Sequence, residues 1–104
     1  MTAKAPGMKY RHYAPEANIY EISTLEEFNE IIKKINIHKT MLLANIHLPA
    51  TYDFGVVLPL TEETLYASFR RADGEAIPDI IIFLDDQVKK NDGLMNRIEK
   101  AVED

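Results

Sequence analysis

Polar and apolar residues alternate over Asn18-Ile19-Tyr20-Glu21-Ile22, a period of two that predicts a half-buried strand. The period then becomes helical. Leu25, Phe28, Ile32 and Ile35 recur on one side with Glu26, Glu27, Lys33 and Lys34 on the other, which predicts a surface helix ending near Asn36. Ser23 and Glu26 have capping-box spacing at its start. Met41-Leu42-Leu43-Ala44 is almost wholly apolar and too short for a helix, the pattern of a central strand covered on both faces. Asn45 to Asp53 lacks periodicity and contains Pro49, so it reads as a loop before a strand over Phe54 to Leu58. That interval is short for a crossover helix and leaves the pairing of these two strands open.

The second half repeats the scheme. Thr61 is placed to cap a helix with Glu62 and Glu63 in its first turn and Leu65, Phe69 and Ala72 on its inner face. Gly74 suits the left-handed position that closes it. Ile80 to Leu84 is the clearest buried strand, with Asp85 and Asp86 marking its exit into a loop. A last helix from about Leu94 carries Leu94, Ile98 and Val102 on one side. Strands and helices in this order imply an α/β domain with a mainly parallel sheet of about four strands and right-handed crossovers.

A chain of 104 residues, 46% of them hydrophobic, builds one core. It has no cysteine, so a disulfide framework and thiolate metal sites are excluded, and the cytoplasm is the expected compartment. Twelve basic residues against seventeen acidic give a net charge of −5, which opposes a general nucleic-acid or anionic-membrane role. No apolar run approaches the length of a membrane span. The N-terminus is the local exception, because Lys4, Lys9 and Arg11 fall among twelve residues with no acid.

Within that basic stretch, Pro6-Gly7-Met8-Lys9-Tyr10-Arg11-His12-Tyr13-Ala14-Pro15 offers little to a hydrophobic core. The prolines favour an extended run, and the cations, tyrosines and histidine between them are suited to anionic or planar ligands. The stretch resembles the interdomain linker of the long, two-domain threonylcarbamoyl-AMP synthases of the Sua type, which reads Ser-Pro-Gly-Met-Lys/Arg-Tyr-Arg-His-Tyr-Ala-Pro. The likeness extends to Leu65-Tyr66-Ala67-Ser68-Phe69-Arg70-Arg71-Ala72-Asp73 and to Gly93-Leu94-Met95-Asn96-Arg97-Ile98-Glu99-Lys100-Ala101. Its middle, Ile37 to Leu58, is shorter than the family shows, and Ala5 stands where the linker has serine.

The resemblance implies an extended linker over residues 1–17 and a Sua-type, Rossmann-like three-layer α/β domain over 18–104. It implies that a YrdC-like catalytic domain, in the same chain or separate, is the partner. That domain uses L-threonine, bicarbonate and ATP with Mg to make the adenylate for tRNA threonylcarbamoyladenosine modification, as a nucleotidyltransferase. Lys9, Tyr10, Arg11, His12 and Tyr13 are then the residues expected to close over its active site. For this chain alone no catalytic residue, cofactor or metal is expected, nor direct tRNA contact; self-association stays open.

Other readings concern the body. Neither G-x-x-x-x-G-K-[ST] nor G-x-G-x-x-G occurs. A ligand site in an open α/β sheet would lie beyond the carboxyl ends of the strands, nearest Asn45, His47, Asp85 and Asp86. The rival to an accessory domain is a stand-alone nucleotide-sensing or protein-interaction module. His12, His38 and His47 lack metal-ligand spacing, and His38 is placed to complement the end of the first helix. Asn96 and Arg97 are expected to tie down loops rather than meet a partner.

Overall fold

The structure, a computed structural model, describes residues 14–46 and 52–103. Four strands, β1 (Asn18–Ile22), β2 (Thr40–Leu43), β3 (Val56–Leu58) and β4 (Asp79–Phe83), form an all-parallel sheet in the order β1-β4-β2-β3. The helices are α1 (Leu25–Ile32), α2 (Leu65–Gly74), α3 (Asp86–Lys89) and α4 (Asp92–Glu103).

The apolar runs of β2 and β4 are continuous because both faces of the sheet are covered. Met41, Leu43, Ile80 and Ile82 pack with Leu65, Phe69, Val88, Leu94 and Ile98, beneath α2, α3 and α4. Leu42, Ile81 and Phe83 point the other way and pack with Ile22 and Phe28, beneath α1. Three layers result. The helical connections β1 to β2 and β3 to β4 run in opposite directions and lie on opposite faces, which gives both crossovers the same hand.

β2 and β3 pair directly and in parallel, with Leu43 opposite Leu58. The described end of their connection covers the sheet beside α1: Tyr52 meets Phe28 edge-on at a centroid distance of 5.1 Å, and Phe54 lies 5.8 Å from the same ring. Aromatic side chains on a loop thus fill space that a crossover helix would occupy.

Several boundaries differ from the sequence pattern. Thr24, not Ser23, caps α1: its hydroxyl accepts from the Glu27 amide at 3.1 Å. The Glu27 carboxylate accepts from the amides of both Ser23 and Thr24. Leu25 consequently falls outside the core and is 59% exposed, and α1 ends at Ile32. α2 begins at Leu65, because Thr61 instead closes a preceding turn by accepting from the Thr64 amide. Its C-terminus is a Schellman motif, with Ile77 N–H on the Ala72 carbonyl at 2.9 Å and Ala76 N–H on Asp73 at 3.1 Å. Ala76 (φ 55°), rather than Gly74, holds the left-handed position. On α4, Ala101 is buried and Val102 exposed, since a step of seven residues returns closer to the face set by Leu94 than a step of eight.

Candidate functional site

Lys9, Tyr10, Arg11, His12, Tyr13 and His47 lie outside the described residues. The body fixes the point at which the N-terminal segment joins it. Glu16 N–H donates to Asp73 Oδ1 at 2.9 Å and Asn18 N–H to the Pro78 carbonyl at 2.9 Å, while Ala17 is buried. These bonds tie the chain to the amino edge of the sheet, beside the end of α2. A cleft of about 420 Å³ opens along the same edge, lined by His38, Lys39, Gly55, Ala76 and Pro78 among others. His38 lies in a 3-10 turn (Ile37–Lys39), six residues beyond the end of the helix it was expected to complement, with Nδ1 3.4 Å from an Asp53 carboxylate oxygen.

The carboxyl edge holds Asn45, Asp85 and Asp86. The Asn45 amide bonds the backbone of Leu60 twice, donating to its carbonyl and accepting from its N–H, each at 2.8 Å. Asp85 is the N-cap of α3, accepting from the Val88 amide at 2.8 Å, and Asp86 is exposed in the first turn. Asn45 lines a hollow of about 350 Å³ with Ile46, Val57 and Pro59, in which neither aspartate takes part. The three residues therefore share an edge but no described cavity.

A contact less visible in the sequence also lies at this edge. Arg97 Nη1 pairs with Glu62 Oε2, joining the turn before α2 to the first turns of α4. Gly93 makes room for it: a Cβ there would fall within 2.5–2.8 Å of the Glu62 carboxyl group. Arg97 thus ties down a loop, as its helical position implied, whereas the choice of Glu62 required the fold. Glu62, Glu63, Tyr66 and Arg97 line a hollow of about 440 Å³. With Asp85, Asp86 and Asp92 on neighbouring elements, the acidic groups at this edge outnumber Lys89, Lys90 and Arg97, an unfavourable setting for a polyphosphate.

Two groups on β1 are perturbed. Burial, and secondarily the Glu99 carboxylate, raise the pKa of Glu21. Burial followed by the Asp79 carboxylate raises that of Tyr20. Among the described residues no group of three or more His, Asp or Glu side chains is placed to hold a metal ion, and no helix is long and apolar enough to cross a membrane.

Compared with known families, residues 1–102 match the family model described as threonylcarbamoyl-AMP synthase, C-terminal domain. No curated protein and no solved structure matches the chain.

Proposed function

The chain belongs to the threonylcarbamoyl-AMP synthase C-terminal domain family, and from that premise we propose that it is an accessory domain whose N-terminal segment closes over the active site of a YrdC-like catalytic domain. The observation that carries the reading is the unbroken order Pro6 to Pro15, rich in cations and aromatic residues, leading into a body that anchors it at Glu16 and Asn18. A body that fixes one end of a segment limits the volume the other end explores and so raises its effective concentration at a nearby site. In this role Lys9 and Arg11 neutralise phosphate charge, while Tyr10, His12 and Tyr13 exclude water and supply hydrogen bonds around the nucleotide, threonine or pyrophosphate. The catalytic domain supplies the chemistry on L-threonine, bicarbonate and ATP with Mg, in the cytoplasm, for tRNA modification.

The test joins a YrdC-like domain to this chain ahead of Met1 and titrates ATP by calorimetry. Arg11→Ala should weaken binding roughly ten- to a hundred-fold, the effect of losing a charge-assisted contact of about 1.5–3 kcal/mol. Lys100→Ala removes the same charge from an exposed position on α4 and should cost a fraction of a kcal/mol. Equal losses would reduce the segment to a tether. Specific nucleotide binding by this chain without a catalytic domain would instead support the stand-alone sensing module, with Asn45, His47, Asp85 and Asp86 as its first residues to vary.

A further inference from the structure

β1 is an outer strand of the described sheet, and beside it α1 leaves a groove of about 530 Å³. Its apolar lining includes Ile19, Tyr20 and Ile31, and its rim carries Glu26, Glu27 and Glu30. Lys34 is the single cation lining it. The outward backbone groups of β1 are not paired with another strand of the described sheet. An edge that offers unpaired N–H and C=O groups over an apolar floor is a template for one more strand. The acidic rim selects a basic one.

We propose that this groove seats the chain's own segment Lys9-Tyr10-Arg11-His12-Tyr13, added to β1 as an antiparallel edge strand. The segment contains five residues, as β1 does, and about 3.3 Å per residue makes the two equal in length. The four residues between them, Ala14 to Ala17, are a hairpin-length connection. That connection sets Arg11 opposite Tyr20 and Lys9 opposite Ile22, on the face where α1 carries its glutamates, and the alternation of a strand sends His12 to the other face, opposite Ile19. The same face of a second copy is a poor occupant, because it would bring its own three rim glutamates against these. The seat lies on the body itself, so it competes with any partner's active site for the same segment and gives the domain a resting, withdrawn state.

Amide spectra of the full chain and of Lys9→Gln/Arg11→Gln test this, since a change in the segment leaves the body's core intact. Shifts are expected across Ile19–Ile22 and Glu26–Lys34, with α2 and α4 unmoved. Perturbation confined to residues 1–17 would overturn the proposal. Shifts that vanish on dilution would assign the groove to another copy's segment and overturn it equally. As a second measurement, Glu26→Gln/Glu30→Gln should speed tryptic cleavage after Arg11 relative to cleavage after Lys89 and Lys90, and high salt should bring the unmodified chain to the same rate. Glu27 is left in place because it closes the α1 cap. Unchanged relative cleavage would count against the seat, whatever the outcome of the ATP titration with a catalytic domain.

Discussion

Gly55→Ala and Gly74→Ala make the same chemical change and should move stability in opposite directions. Gly55 precedes β3, and a Cβ there would lie 2.5 Å from the backbone oxygen of His38, 3.3 Å from its carbon and 3.4 Å from the Thr40 oxygen. The nearest obstacle is main chain that leads into central strand β2, so no side chain can rotate aside. Relief requires the two backbones to separate, and that loosens the Gly55 N–H bond to the Ile37 carbonyl, now 3.0 Å. Overpacking costs about 1–3 kcal/mol and the lost hydrogen bond about 1 kcal/mol, against a gain of about 0.4–1 kcal/mol from the stiffer unfolded chain. The net expectation is a loss of about 1–3.5 kcal/mol. Gly74 has nothing within 4 Å of its virtual Cβ and ends α2, so alanine there should gain up to about 1 kcal/mol. Urea unfolding followed by far-UV circular dichroism measures both, and at about 4–8 °C per kcal/mol in a domain of this size the melting temperatures should diverge clearly. Because β3 holds the sheet through only three residue pairs, hydrogen exchange in Gly55→Ala should rise first at Val56–Leu58. A Gly55→Ala protein as stable as its parent would refute the close-approach argument.

Other outcomes follow from single contacts. Asn45→Ala should cost about 1–3 kcal/mol in urea unfolding, because both backbone groups of Leu60 lose a part-buried partner. Ala76→Gly should raise the melting temperature, the relief of a left-handed alanine being worth roughly 0.5–1 kcal/mol after the added freedom of the unfolded chain. The pKa of Glu21 is raised in the folded state, so its contribution is present below the unfolded pKa and lost as pH rises through the folded one. Glu21→Gln should therefore stabilise modestly at neutral pH, with an effect that vanishes in acid; a pH series of melting temperatures checks the sign. Without a catalytic domain, the chain given threonine, bicarbonate, ATP and magnesium should release no pyrophosphate above a no-protein control.

The sequence by itself determined the parts governed by local chemistry. Strands β1, β2 and β4 were legible because their apolar residues alternate or run unbroken, and the inner residues Phe28, Leu65, Phe69, Leu94 and Ile98 because they recur at helical spacing. The order of strands and helices implied a parallel sheet, and the linker-like run and two helical motifs pointed to the family that the whole-chain match shows. Tertiary structure decided what depends on residues far apart in sequence. Neighbouring serine and threonine compete for one cap, and the choice of Thr24 sets which side of α1 meets the sheet, exposing Leu25. Gly55 falls within the strand expected over Phe54 to Leu58 and Gly93 just ahead of the last helix, yet each is needed where another segment comes close, His38 in one case and Glu62 in the other. Asn45, read as a polar strand end, satisfies both backbone groups of Leu60, fifteen residues away. Such assignments follow from three-dimensional distances, which residue type and spacing constrain only within an element. The carboxyl-edge residues and the β1 groove became interpretable once the strand order had placed them.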